Sequence, residues 1–135
     1  RRSGLHHRLA SAIAQCRSQD PYAQVGACAV LRDNSVSLGY NGHPPGVEID
    51  WSEREHRGAR VIHAEVNALR SVVPGQCRFL AVTMLPCRNC MTFIASKGIK
   101  KIVYREVYER DKLAFELARE FRIELVQMRR KKAAK

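Results

Sequence analysis

Apolar positions along this chain switch between a helical and an extended period. Leu5, Leu9, Ile13 and Cys16 recur at helical spacing and predict an opening helix. It ends before Asp20-Pro21, since the residue ahead of a proline is pushed out of the α region. Residues 25–31 form a short unbroken apolar run, the pattern of a strand buried on both faces. Asp33-Asn34 predicts a turn, with residues 35–40 returning as a hairpin partner. Residues 41–60 mix Gly, Pro and charge and read as a long loop, a feature that in a small domain more often serves function than idles. Ile62, Val66 and Leu69 restore the helical period with an inward face. A strand over 78–84 then leads into a helix that carries Cys87 and closes at Gly98. Residues 101–104 predict a strand; Leu113, Leu117 and Phe121 trace an amphipathic helix; residues 122–128 form a last strand.

The order α-β-β-α-β-α-β-α-β predicts an α/β fold: a three-layer α/β/α arrangement around a five-stranded mixed sheet. The last two strands should be parallel, because a crossover helix separates them where a tight turn would make them antiparallel. At 135 residues and 45% hydrophobic content, residues 1–128 fit a single domain. Residues 129–135 read as a disordered basic tail. No apolar run approaches a membrane span and no secretory leader is visible, so no membrane partner is expected. The chain begins at Arg1 rather than Met, which fits a processed chain or one cut from a longer protein. Of the net charge of +11, Arg1, Arg2 and the five basic residues of the tail carry seven, leaving +4 for the body. That suits a small phosphate-bearing substrate as well as a polynucleotide. One Trp and sparse interleaving of aromatic with basic residues argue against nucleic acid as the partner.

The chemistry concentrates in two segments, His63-Ala64-Glu65 and Pro86-Cys87-Arg88-Asn89-Cys90. They supply an imidazole, a carboxylate and two thiols three positions apart. This is the donor set of a catalytic zinc site, with His63, Cys87 and Cys90 as ligands and the fourth tetrahedral position open. A structural zinc would want a fourth protein donor, and none stands at an obvious spacing. The H-x-E and P-C-x-x-C combination marks zinc-dependent nucleobase deaminases. Two thiolates and an imidazole leave the site a weak Lewis acid, so a proton shuttle is valuable, and Glu65 fills that role. Both ligand segments should open helices, with Pro86 in the first turn and the helix amides favouring thiolate at the cysteines. Cys16, Cys28 and Cys77 are left over; an odd total of five with a metal pattern points to a reducing, cytoplasmic setting.

With these residues in view, the chain resembles the deoxycytidylate (dCMP) deaminase family of the zinc-dependent cytidine deaminase superfamily. The likeness runs from about Asp20 to Met128. It rests on Asp20-Pro21, Gln24-Val25-Gly26-Ala27, Gly39-Tyr40-Asn41-Gly42 with Pro44 and Gly46, Trp51, the two zinc segments, and Asn67 after His-Ala-Glu. The resemblance implies one zinc per chain on His63, Cys87 and Cys90, and Glu65 as the catalytic shuttle. It implies Asn41 on the sugar of a deoxycytidine nucleotide and the Ala64 backbone at the base carbonyl. It also implies a homo-oligomer, hexamer or dimer, and the reaction of dCMP with water to dUMP and ammonia. Two other readings stand beside this one: a deaminase editing tRNA or single-stranded DNA, and a non-catalytic zinc-binding scaffold. Many relatives carry a longer insert before the zinc histidine, some with ligands for a second zinc. Here only His43 and His56 remain as donors in that stretch, and no second zinc is expected. Arg54, Arg57 and Arg60 offer positive charge for a phosphate without one being singled out.

Overall fold

The computed structural model describes residues 2–107 and 111–128. Among them the order is α1 (Arg2–Arg17), β1 (Gly26–Leu31), β2 (Val36–Tyr40), α2 (Arg54–Arg60), α3 (Ala64–Leu69), β3 (Cys77–Met84), α4 (Arg88–Ser96), β4 (Lys101–Glu106), α5 (Lys112–Glu120) and β5 (Glu124–Gln127). The tail over 129–135 lies outside the described residues.

All six residues of β1 are buried, as its unbroken apolar run requires of a strand covered on both faces. It sits inside a sheet of order β2-β1-β3-β4-β5. β1 runs antiparallel to β2 and β3, while β3, β4 and β5 are mutually parallel. The hairpin between β1 and β2 turns at Asn34, whose φ of 70° suits the Asp-Asn pair read from the sequence. α1 covers one face, over Cys28, Val30 and Ala81. α3, α4 and α5 cover the other, over Ala27, Ala29, Leu80, Val82 and Ile102. Each fully buried Leu or Ile of this core, such as Leu80 and Ile94, contributes roughly 1.5–3 kcal/mol by leaving water.

α1 and α5 touch the sheet through alanines rather than through their largest side chains, whereas α4 buries Met91 and Ile94. α1 buries His7, Ala10 and Ala14, while Leu5 stays 49% exposed and Cys16 lies at the surface. A Cβ on Gly26 would fall 1.8 Å from the Ala10 carbonyl oxygen, so the helix backbone rests on the strand and leaves room only for small residues. The same holds at α3. A Cβ on Gly39 would fall 2.3 Å from Ala68 N and 2.4 Å from Ala64 O. The face of α3 turned inward is therefore Ala64, Glu65, Ala68 and Leu69; Ile62 and Val66 are only half-buried. In α5, Ala114 and Ala118 are buried and Leu113, Leu117 and Phe121 flank them. Within the expected 41–60 loop, residues 54–60 form α2, a polar helix of about two turns with no buried residue and hence no apolar period to betray it.

Candidate active site

Three helix and strand ends converge to build the site. Gly42 and Ile62 pair as an isolated antiparallel bridge, with N–H to carbonyl distances of 3.1 and 2.6 Å. This closes the long 41–62 excursion and sets His63 beside Asn41. Asn67 donates from Nδ2 to the Tyr40 carbonyl at 3.0 Å, and the Ser37 hydroxyl donates to Ala68 O at 2.6 Å. α3 is thereby tied to β2 along its length. Opposite, the parallel strand β3 delivers Pro86 and Cys87 to the start of α4.

His63 is the N-cap of α3 and Cys87 the N-cap of α4, both extended and neither making a side-chain cap bond. Pro86 thus lies one position outside its helix rather than in the first turn, because the extended backbone of Cys87, with ψ at 173°, delays the first helical residue to Arg88. Cys90 sits in the first turn of α4, buried. His63 Nδ1 lies 3.6 Å from Cys87 Sγ and 3.2 Å from Cys90 Sγ, and the three donor atoms fall within 4.8 Å of one another. A tetrahedral zinc with ordinary bond lengths separates imidazole nitrogen from thiolate sulfur by about 3.6 Å. The three side chains fit zinc. Among the described residues this is the one cluster of three or more such donors; His43 instead contacts Pro44 O and Gln19 Oε1.

The electrostatics fit a cation as well. The Cys87 thiol is brought down to about 4, first by the hydrogen bond from the Cys90 thiol, then by His63 and the Cys90 backbone N–H. Cys90 is pushed up, chiefly because it is the donor to that thiolate and is buried. The helix start therefore favours one thiolate, not two; a dication would remove the repulsion that holds the second proton. His63 is raised by its bond to the Cys87 thiolate. Glu65 is 4% exposed and its carboxyl is raised to about 7, burial being the largest cause. A carboxyl near 7 exchanges protons readily in both directions at neutral pH.

A cavity of about 340 Å³ opens above these groups, with His63, Ala64, Glu65 and Cys87 in its lining. Ala64 is fully buried, and its first-turn N–H has no acceptor within the helix. Asn41, 7% exposed, forms part of the wall, and its amide is fully engaged. Oδ1 accepts from the Ser18 hydroxyl at 2.7 Å and from Val25 N at 2.8 Å; Nδ2 donates to Ala23 O at 2.7 Å and to Asp20 Oδ2 at 3.2 Å. Sequence reasoning did not find the Arg88–Asp111 ion pair at the rim, bidentate at 2.9 and 3.0 Å. Its two members come from different elements 23 positions apart, so no local spacing announces it.

Residues 2–106 match the family described as the cytidine and deoxycytidylate deaminase zinc-binding region. The chain belongs to this family. A probable deoxycytidylate deaminase of Caenorhabditis elegans is 37% identical over 113 residues, 76% of this chain and 56% of that protein. The Homo sapiens deoxycytidylate deaminase is 36% identical over 101 residues, 65% of this chain and 56% of that protein. This deaminase-family chain thus spans little more than half the length of these two relatives. Among solved structures, the dCMP deaminase of cyanophage S-TIM5 in complex with dCMP and dUMP is 28% identical with a TM-score of 0.79. That match covers 93% of this chain and 95% of the phage protein. A cytidine deaminase from Burkholderia pseudomallei, 22% identical with a TM-score of 0.55, shares the fold. The five-stranded mixed sheet with its parallel β3-β4-β5 half is the deaminase fold expected from the sequence.

Proposed function

We propose that this chain hydrolyses the exocyclic amine of a deoxycytidine nucleotide, converting dCMP and water to dUMP and ammonia. The observation that carries this reading is a buried carboxyl, Glu65, two residues from His63 and beside both zinc-ligand cysteines at the floor of one cavity. Zinc held by His63, Cys87 and Cys90 supplies Lewis acidity that activates water near neutral pH. Glu65 takes the proton that water gives up as its oxygen bonds to the amine-bearing ring carbon. It gives that proton to the ring nitrogen, then takes the second proton from the new hydroxyl and delivers it to the departing amine, so the carbonyl forms as the carbon–nitrogen bond breaks and neutral ammonia leaves. The Ala64 N–H meets the base carbonyl and holds the ring over Glu65. The sugar contact falls to Asn41, which must exchange an internal partner, Ser18 or Asp20, for a substrate hydroxyl.

The chain acts as a homo-oligomer, dimer or hexamer, in a reducing cytoplasmic setting; its five cysteines are all free, which supports that setting. No helix of the described residues is long and apolar enough to cross a membrane. The test is a substrate panel of dCMP, dCTP, deoxycytidine, CMP and cytosine-bearing single-stranded oligonucleotides, read by absorbance loss and ammonia release. The highest kcat/KM should belong to dCMP. A higher value for free deoxycytidine or for the oligonucleotide would overturn this reading.

A further inference from the structure

Three charged side chains outside the zinc floor line the cavity: Asp20, Asp111 and Arg57. The two carboxylates are already compensated. Asp20 accepts from Tyr22 N at 2.8 Å, from Ala23 N at 3.2 Å and from Asn41 Nδ2 at 3.2 Å. Asp111 is held by the Arg88 guanidinium and also caps α5 by accepting from Leu113 N at 3.1 Å. Arg57 is different. It is the one Lys or Arg in the lining among the described residues, and no carboxylate pairs with it there. Its Nη1 donates to the Trp51 carbonyl at 3.0 Å, and its guanidinium carbon lies 4.3 Å from the centre of the Tyr22 ring. Tyr22 is otherwise an aromatic ring left 56% exposed on the turn that Asp20 organises.

This arrangement holds a cation without neutralising it. Stacking uses the face of the guanidinium, and a neutral carbonyl takes one donor, so in-plane N–H groups stay available in a fixed plane. A planar fork with spare donors suits an oxyanion, which accepts two parallel hydrogen bonds. We propose that Arg57, held by Trp51 and Tyr22, binds the phosphate of the substrate and sets the preference for nucleotide over nucleoside. This rests on the reading that the same cavity deaminates a deoxycytidine nucleotide. Arg54 and Arg60, its neighbours in α2, are exposed and do not line the cavity.

The experiment compares R57Q, R57K and Y22L with the unaltered zinc-loaded protein, using dCMP and deoxycytidine as paired substrates. R57Q should lower kcat/KM for dCMP about ten- to a hundredfold more than for deoxycytidine, mainly through KM, the scale of losing hydrogen bonds to a charged group. R57K, which keeps the charge without the fork, should restore part of the difference, and Y22L should shift the ratio the same way by less. Equal losses on both substrates would reduce Arg57 to a structural part and overturn the proposal. Calorimetric binding of dUMP against deoxyuridine separates the two readings. A protein that deaminates neither substrate yet prefers dUMP in an Arg57-dependent manner sinks the deaminase reading and leaves the phosphate site standing. A preference that survives R57Q sinks the phosphate site alone.

Discussion

Glu65 is an expensive residue to bury, and its surroundings show what the cost serves. Its carboxyl is 4% exposed, and burial opposes ionisation, so the group is raised to about 7. A merely solvated helix carboxylate would show neither feature. Cys90, also buried, stands beside it, so the carboxyl lies against the metal-ligand cluster. In the proposed mechanism Glu65→Ala removes a proton path and no metal ligand. The variant should therefore keep its zinc and its thermal midpoint while turnover on dCMP falls by at least ~10²–10⁴-fold, the usual scale for general acid–base groups. Metal analysis and steady-state rates on the same preparation check it, and a zinc-replete Glu65→Ala protein of near-normal activity would refute the proton-shuttle role. Asn41 teaches a different lesson at this scale. An Asn-Gly pair reads as a turn residue or as a substrate contact, yet here four internal hydrogen bonds make it the knot between Ser18, Asp20, Ala23 and Val25.

At the scale of elements, α1 carries a strain that pH can expose. His7 is 3% exposed against the sheet, and its pKa lies below the ordinary 6.5, first through burial and then through the Arg105 guanidinium, with His6 adding a little. The native chain thus resists a proton that the unfolded chain accepts. Stability is full above about pH 6.5, falls as the pH drops below that value, and levels off beneath the folded pKa. Urea midpoints at pH 7.5 and 5.5 should differ less in His7→Leu than in the parent protein; an unchanged difference would show that His7 does not carry the effect. The same helix shows what the sequence reveals and what it hides. Its existence and its stop before Asp20-Pro21 are legible from period and proline. Its inward face is not, because large apolar residues dominate a pattern while Gly26 selects small ones, Ala10 and Ala14, at the contact. The strands read well for the opposite reason: burial on both faces of β1 leaves an unbroken apolar run. The clustering of His63, Cys87 and Cys90 was legible because metal chemistry fixes residue type and spacing. Arg57 as a pocket residue was not, since α2 has no apolar period and its guanidinium reaches the cavity only through tertiary contacts with Trp51 and Tyr22.

On the scale of the whole molecule, metal and charge decide the predictions. The three-donor cluster joins α3 to α4 across the sheet end, so zinc should act as a staple as well as a reagent. One equivalent per chain is expected by metal analysis, with chelation lowering the thermal midpoint; two equivalents, one of them lost in His43→Ala or His56→Ala, would refute the single-site count. Charge bears on the substrate. Seven of the eleven net positive charges belong to the two chain ends, and the one cation lining the cavity among the described residues is Arg57. A mononucleotide therefore meets about one phosphate-binding cation, and its affinity should fall only about linearly with salt. A polynucleotide would displace a counterion at every contacted phosphate and lose affinity as a high power of salt, a slope of about 0.7 per contact for single strands. Between 50 and 200 mM salt, kcat/KM for dCMP should fall by no more than about fourfold on a slope near one. Deleting residues 129–135 removes five positive charges yet should leave that value within about twofold, because the proposed phosphate contact is made by Arg57 and a mononucleotide carries no further phosphates to engage other cations. A steep salt slope that flattens on deleting the tail would instead make the chain a polynucleotide deaminase that grips its substrate outside the cavity.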